Sequence, residues 1–262
     1  MIEFINETPL KEPLIFDTHA HYDDERFKDY LDELLTALNK SGVGGIITCG
    51  CDLDSSLKAL KIAEEYDYIF AAAGIHPGNM ENADEISEIE KLFSHKKCVA
   101  IGEIGLDYYW TTDNKPLQQE VFKNQLELSR NYDLPVIVHD REAHFDTLEI
   151  LKHYKPRGVV HAFSGSVEMA TELLKLDMYF GIGGVITFKN AKKLPDVVKM
   201  LPDNRILLET DAPYLAPVPY RSKTNNSAMI YLTAQKIAEL RGTTTEHILN
   251  LTFKNARELF GI

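Results

Sequence analysis

Cysteine is scarce in this 262-residue sequence, which contains only Cys49, Cys51 and Cys98. A small, odd number of cysteines excludes the dense disulfide framework of small secreted domains. All three fall in apolar runs that predict buried strands, so we interpret them as free thiols in a reducing cytoplasm. Cys51 stands near the end of its run, and a small buried hydrophobic residue is the interpretation we favour over a contact with a functional site.

Positive charge is also in deficit. Lysine and arginine number 28 against 40 aspartates and glutamates, which gives a formal net charge of −12. This balance argues against a broad basic surface for nucleic acid, because neutralising phosphates requires clustered lysine and arginine, but it does not exclude nucleic-acid binding. If the substrate is anionic, bound divalent cations must supply much of the attraction.

Long apolar segments and linkers are absent as well. No run reaches the ~20 apolar residues of a membrane span, and the first 13 residues lack the basic start and apolar centre of a secretory signal. No Pro/Gly/Ser-rich or low-complexity stretch divides the chain. We therefore expect a monomeric cytoplasmic protein with no membrane contact, in which residues 1–262 form one domain and 1–13 an N-terminal extension.

The sequence does contain a repeated alternation of short apolar runs with stretches of helical spacing. Runs rich in Val, Ile, Leu and Ala predict buried parallel strands. They are LIFDTHAH (14–21), GGIITCG (44–50), YIFAAAGIH (68–76), CVAIGE (98–103), PVIVH (135–139), GVVH (158–161), MYFGIGG (178–184) and RILLETD (205–211). Helical spacing follows at 27–38 and 117–128, for example. This order predicts an α/β protein, a single-domain TIM (β/α)8 barrel, with a doubly wound sheet as the competing architecture.

Potential metal ligands stand at the ends of these runs. They are His19, His21, Glu103, His139, His161 and Asp211. The carboxyl ends of all barrel strands open onto one face, where such side chains converge. His19 and His21 are two residues apart, so their side chains point to the same side of a strand and can reach one ion. Buried acids are rare unless they are paired or bind metal, so Glu103 and Asp211 strengthen the prediction of a metal site.

This mixed nitrogen and oxygen set suits Zn, Mn or similar divalent ions, with Mg as a further candidate. A catalytic zinc commonly takes three protein ligands, so the larger set favours two ions about 3.5 to 4 Å apart, bridged by Glu103 and a water. The first ion would take His19, His21 and Asp211, and the second His139 and His161. Asp211 would also hold the attacking water and accept its proton.

Further residues near the strand ends have two open interpretations each. His76 either contacts substrate or makes a structural hydrogen bond. Arg141 either binds a phosphate or supports an acidic ligand, and both residues are candidates for substrate binding. Asp17 is a candidate second acid behind the histidine pair. The aromatic stretch 108–110 either stacks on bases or forms a packed lid over the site.

Together these segments resemble the TatD-like metal-dependent hydrolases and deoxyribonucleases, a branch of the amidohydrolase-type barrels. The matching segments are DTHAH (17–21), GIHP (74–77), GEIGLDY (102–108), PVIVH (135–139), HAFSG (161–165) and ETDAP (209–213). Their ordered combination is highly specific and spans nearly the whole chain.

The resemblance implies the same two-ion ligand set, with Glu103 as the bridge and Asp211 as ligand and base. It further implies cleavage of DNA phosphodiesters, commonly as a 3′ to 5′ exonuclease, with His76 near the substrate phosphate. DNA, as single strands or 3′ ends, is therefore the expected partner and substrate.

Two departures from the family pattern fall outside the ligand set. After Arg221 the family usually has Gly-Lys-Arg-Asn-Glu-Pro, whereas this chain has SKTNNS at 222–227. A second histidine often follows Gly-Ile-His-Pro, where this chain has Gly78. We expect both changes to affect substrate contacts. Hydrolysis of a small amide, ester or lactone is therefore the alternative activity, because the same ions polarise carbonyls. A metal-holding protein that binds without catalysis is a further alternative.

Overall fold

The computed structural model describes residues 14–262, so the predicted extension 1–13 lies outside the described residues. Within this range eight strands form one sheet in which neighbours along the chain are neighbours in the sheet. The strands are β1 (Ile15–Ala20), β2 (Val43–Cys49), β3 (Ile69–Ala73), β4 (Cys98–Asp107), β5 (Val136–Arg141), β6 (Gly158–Val160), β7 (Tyr179–Ile182) and β8 (Ile206–Leu208). Every paired neighbour from β1 to β8 runs parallel.

Helices follow the strands around the sheet. They are α1 (Leu31–Lys40), α2 (Leu53–Glu65), α3 (Ile86–Glu90), α4 (Lys115–Tyr132), α5 (His144–Tyr154), α6 (Val167–Leu174), α7 (Leu194–Met200), α8 (Ile230–Arg241) and α9 (Thr245–Phe260). Short 3-10 helices occur at Met80–Glu85, Lys91–Ser94, Gly184–Thr187, Asp203–Arg205 and Ser227–Met229. None of the helices between residues 14 and 262 has both the length and the apolar character to cross a membrane.

The first and last strands meet and close the sheet. The Asp211 N–H donates to the His19 carbonyl at 2.9 Å, and the His21 N–H donates to the Ala212 carbonyl at 2.7 Å. These bonds form where the chain continues past β8, so the closing seam lies at the carboxyl ends of β1 and β8. The strands lie in the sheet in the same order as in the chain, and the sheet closes between β1 and the segment after β8. These two features confirm the predicted TIM barrel and exclude the doubly wound sheet.

A buried carboxylate, Asp17 of β1, supports this seam. It accepts hydrogen bonds from the Thr210 N–H at 3.0 Å, the Thr210 hydroxyl at 2.6 Å and the Ser227 hydroxyl at 2.7 Å. Burial raises the pKa of Asp17 to about 7, although these hydrogen bonds act to lower it. Asp17 therefore connects β1 to two segments nearly two hundred residues away, one of which leads directly to Asp211.

The barrel interior is packed with apolar side chains from alternate strand positions. One buried cluster contains Phe16, Ile47, Val99, Ile137, Val159, Tyr179 and Leu207 together with Ala256, Leu259 and Phe260 of α9. The ring of Phe253, also in α9, meets Phe16 edge-on with 5.7 Å between centroids. Since Phe16, Val99 and Tyr179 stand near the starts of their strands, the end of α9 fills the amino end of the barrel and leaves the carboxyl end for a site.

Some predicted boundaries were wrong for local reasons. Cys51 does not lie in a buried strand: β2 ends at Cys49, and Cys51 is half-buried in the bend before α2. The Asp52 carboxylate caps α2 by accepting from the Ser55 N–H at 2.9 Å, while the Ser55 hydroxyl accepts from the Cys51 N–H at 2.8 Å. These bonds end the extended conformation. All three cysteines are free, as predicted.

Candidate metal centre

The barrel brings the six predicted ligands to the carboxyl end of its strands. His19 lies in β1 and His21 directly after it, Glu103 in β4 and His139 in β5, His161 directly after β6 and Asp211 three residues after β8. The Glu103 side chain is only 4% exposed, whereas that of Asp211 is 20% exposed. Asp211 is therefore the acid of this set that faces the opening.

Glu103 lies between two groups of histidines. Its Oε1 is 2.7 Å from His139 Nδ1 and 2.7 Å from His161 Nε2. Its Oε2 is 3.3 Å from His19 Nε2 and 3.5 Å from His21 Nε2. Each carboxylate oxygen thus faces a different pair of imidazoles, which is the orientation of a carboxylate shared by two cation sites.

Asp211 completes the group on the β1 side. Its Oδ1 is 3.6 Å from His19 Nε2 and 3.5 Å from His21 Nε2, and these two nitrogens are 3.1 Å apart. Asp211 has φ 57°, a left-handed conformation that non-glycine residues adopt at a cost and that aspartate tolerates better than most. This backbone turn accompanies the hydrogen bond from its N–H to His19 and directs the carboxylate toward the histidines.

The two acids are ionised in this environment. Burial acts to raise the pKa of Glu103, but the charge of the adjacent His161 and the hydrogen bond with His139 outweigh it and hold that pKa well below its ordinary value. For Asp211 burial also opposes ionisation, and the hydrogen bond with His21 lowers the pKa in spite of it. Burial lowers the pKa of His19, and the neighbouring His161 lowers it further, so His19 favours the neutral form that can bind a metal.

The nitrogens that point away from the centre set the proton positions of two rings. His21 Nδ1–H donates to the Cys49 carbonyl oxygen at 2.9 Å, and His139 Nε2–H donates to Asp107 Oδ2 at 3.1 Å. The neutral ring of His21 therefore has its proton on the outer nitrogen. His139 faces a carboxylate on each side, with Nδ1 2.7 Å from Glu103 Oε1, and its tautomer with the proton on Nε2 is the one that leaves a lone pair directed at the centre, as a metal-binding histidine requires. The donor set thus fits divalent metal.

Sequence reasoning missed two acids beside this set. Asp107 is four residues beyond Glu103 in β4, and Glu209 comes two residues before Asp211. The Glu209 Oε1 accepts from the Ala162 N–H at 2.6 Å and lies 3.8 Å from His161 Nδ1. Both acids are buried, so the rule that buried acids need partners would have found them as it found Glu103.

Asp107→Ala is expected to weaken metal binding about 10- to 100-fold, because His139 would lose the partner that holds its proton on Nε2. Competition with a fluorescent chelator measures the affinity for Zn and Mn. Asp113→Ala, which removes an exposed carboxylate from the loop after β4, is the matched control. Equal affinities in the two variants would show that Asp107 does not orient His139.

His76 has the opposite proton arrangement. Its Nδ1 accepts from the Gly78 N–H at 2.9 Å, so the neutral ring carries its proton on Nε2, which lies 3.5 Å from Glu103 Oε1. Burial lowers the pKa of His76 and favours this neutral form. A Cβ at position 78 would lie 2.9 Å from His76 Nδ1, so glycine allows the close approach. His76 therefore presents an N–H donor to the centre.

Arg141 lies at the exposed end of β5. Its guanidinium covers the ring of Tyr109 at 3.9 Å from the centroid and lies 5.3 Å from that of Trp110. No ion pair joins it to a carboxylate within residues 14–262. Its charge nevertheless acts on Asp107: burial raises the pKa of that carboxyl, but the hydrogen bond with His139 and the charge of Arg141 lower it. Support of an acid beside the ligand set and phosphate binding therefore both stay predictions for Arg141.

Comparisons with known proteins agree with this geometry. A profile of the family described as TatD related DNase matches residues 16–261. The chain is 42% identical over 254 residues to the "Uncharacterized metal-dependent hydrolase YabD" of Bacillus subtilis (strain 168), covering 95% of this chain and 100% of YabD. It is 36% identical to "Uncharacterized metal-dependent hydrolase YcfH" of Escherichia coli (strain K12), with 95% and 96% covered. The crystal structure of the TatD homologue YjjV from Escherichia coli K12 superposes with a TM-score of 0.88, at 34% identity and with 95% and 99% covered.

Proposed function

Since the chain belongs to the TatD-related DNase family of metal-dependent hydrolases, we propose that it is a two-metal phosphodiesterase that shortens DNA from the 3′ end. The orientation of Glu103 carries this proposal, because its two oxygens face two separate histidine pairs. We further propose that residues 1–262 form one domain and that the protein acts as a monomer.

The first ion would be held by His19, His21, Asp211 and Glu103 Oε2, and the second by His139, His161 and Glu103 Oε1. Nitrogen and carboxylate ligands in this mixture suit Zn or Mn, with Mg as a further candidate. When bound, such a pair lowers the pKa of a water and stabilises charge on a phosphoryl oxygen. No basic patch has to bind the phosphate in this arrangement, in keeping with the acidic composition.

Asp211 is the residue that would accept the proton of the attacking water. Its pKa is lowered, it is the more exposed of the two acids, and its Oδ1 lies 3.6 Å from His19 Nε2 and 3.5 Å from His21 Nε2. A carboxylate with one oxygen toward the ligands can accept a hydrogen bond on the other, which is what a general base needs.

His76 would bind the substrate phosphate. While Nδ1 accepts the hydrogen bond from the Gly78 N–H, the neutral ring has its proton on Nε2. Nε2 then has no lone pair for a metal, and its N–H points toward the centre. A neutral donor there can hydrogen-bond a non-bridging phosphate oxygen, which would hold the phosphorus atom in line with the attacking water.

The test is incubation of purified, metal-loaded protein with 5′-labelled single-stranded DNA in Mg, Mn or Zn. A ladder of products shortened one nucleotide at a time from the 3′ end is expected, and a 3′-blocked strand should persist. Internal fragments from the blocked strand would instead indicate an endonuclease. Bis(p-nitrophenyl) phosphate and a lactone are assayed in parallel, and turnover of the lactone alone would overturn phosphodiester cleavage in favour of carbonyl hydrolysis.

A further inference from the structure

Two aromatic side chains project from the rim beside the metal centre. Tyr109 is 56% exposed and Trp110 is 73% exposed. Tyr108, in contrast, packs against the core and donates its hydroxyl to Asp146 at 2.9 Å. The stretch is therefore not a packed lid, because only its first ring packs against the core. Its other two rings leave apolar faces in water, which is costly unless a ligand covers them.

A cation lies on these rings. The guanidinium of Arg141 stacks on Tyr109, and Trp110 meets Tyr109 edge-on with 4.9 Å between centroids. We call these three residues, Tyr109, Trp110 and Arg141, the β4 platform. The contact holds the guanidinium over the ring of Tyr109, and its N–H groups can donate to a planar or tetrahedral anion.

A second stacked pair on the rim differs in charge. Arg26 covers the ring of Tyr214 at 4.2 Å, but it is also bound to Asp24 through two hydrogen bonds of 2.9 Å. Arg141 has no carboxylate within ion-pair distance among residues 14–262. The β4 platform therefore keeps a charge that can meet an anion, as does Arg221, which covers the ring of Phe188 at 4.0 Å.

The platform is joined to the metal centre through one carboxylate. Asp107 Oδ1 accepts from the Tyr109 N–H at 2.9 Å, while Asp107 Oδ2 accepts from His139 at 3.1 Å. The Tyr108 N–H also donates to the Arg141 carbonyl at 2.9 Å. The residue that hydrogen-bonds a proposed ligand thus also holds the first residue of the platform, which places the platform beside the metal centre.

We propose that the β4 platform binds an unpaired base and an adjoining phosphate of a single DNA strand whose scissile bond lies at the metal centre. The proposal rests on the proposed function and identifies the residues that hold a nucleotide beside the scissile bond. Any unpaired base can stack on the exposed ring faces, and the guanidinium can donate hydrogen bonds to the phosphate. Paired bases in a duplex expose no face to stack on. An apolar protein segment would leave the charge of Arg141 unmatched.

Trp110 is the single tryptophan of the sequence, so its fluorescence reports on the platform alone. Asp211→Asn protein, chosen so that the probe is not consumed, is titrated with the thymidine octamer dT8. Saturable quenching of Trp110 emission is expected. An octamer of abasic sugar-phosphate should quench far less, because it offers charge without bases. Equal quenching by both probes, or binding of dT8 by fluorescence anisotropy without quenching, would overturn the proposal.

Variants separate the two parts of the platform. In the same background Trp110→Ala should raise the Kd for labelled dT8 about 5- to 100-fold, in line with the loss of one stacked base. Trp110→Phe should restore part of the affinity, and Arg141→Gln should weaken binding of dT8 and also make it less dependent on salt. Tyr132→Ala is the matched control, because Tyr132 is a part-exposed aromatic at the far end of α4.

The outcomes distinguish this proposal from the proposed function. Quenching by dT8 without cleavage by the native protein would support the platform and refute the nuclease. Cleavage without quenching, or with an unchanged KM in Trp110→Ala, would support the nuclease and refute the platform.

Discussion

Glu103→Gln is expected to remove both metal binding and activity, with the rate falling on the order of 10³-fold or more. The ions supply several kcal/mol of charge stabilisation in the transition state, and each ~1.4 kcal/mol corresponds to a factor of ten. Glutamine keeps the size of the side chain, but its amide nitrogen cannot act as a ligand. At most one of the two histidine pairs would then retain an oxygen donor from position 103.

The measurement is metal content by mass spectrometry after dialysis, together with hydrolysis of bis(p-nitrophenyl) phosphate. Glu88→Gln serves as the matched control, because it makes the same change at an exposed glutamate that pairs with Lys91. A variant that retains two ions per chain would contradict the bridging role of Glu103. Circular dichroism spectra of the two variants should coincide, which separates loss of metal from loss of fold.

Asp211→Asn is expected to lower kcat by about 10² to 10⁴, the usual contribution of a general base. The amide preserves an oxygen that can face His19 and His21, so metal content should fall much less than in Glu103→Gln. The loss should appear in kcat, with KM for DNA nearly constant, because neither the β4 platform nor His76 is changed.

Asp196→Asn, at an exposed aspartate of α7 that pairs with Lys199, is the control for this substitution. Full metal content with unimpaired kcat would exclude Asp211 as the base. The pH dependence adds a second readout. Because Asp211 has a lowered pKa, its ionised form persists as pH falls below neutral, so the acidic limb of the native kcat profile should lie below the ordinary range of histidine and disappear in Asp211→Asn.

The sequence was informative about the barrel because its signals are local. An apolar run that ends in histidine or acid, such as PVIVH at 135–139, indicates both the strand and the position of its proposed ligand. The strand ends in a barrel are fixed by topology, so His139 and Glu103 could be placed on one face without knowledge of any contact. Boundaries were less predictable: β8 ends at Leu208 and α1 begins at Leu31, both inside the predicted runs.

Roles that depend on contacts between distant segments could not be read from the sequence. The SKTNNS departure was expected to affect substrate contacts, yet three of its residues are fully buried at the barrel seam. Asn225 donates its amide hydrogens to the carbonyls of Thr210 and Tyr214 at 2.9 and 2.8 Å, and Ser227 donates to Asp17. The segment thus supports the backbone on both sides of Asp211, which no periodicity in the sequence indicates.

The apolar end of α9 packs against the amino end of the barrel. This packing limits the path that a polymeric substrate can take. Among the described residues, the side chains of α9 fill the amino end of the barrel, so a nucleic acid strand cannot pass through the barrel from one end to the other. If DNA is the substrate, its strand must enter and each released nucleotide must leave through the same face of the barrel.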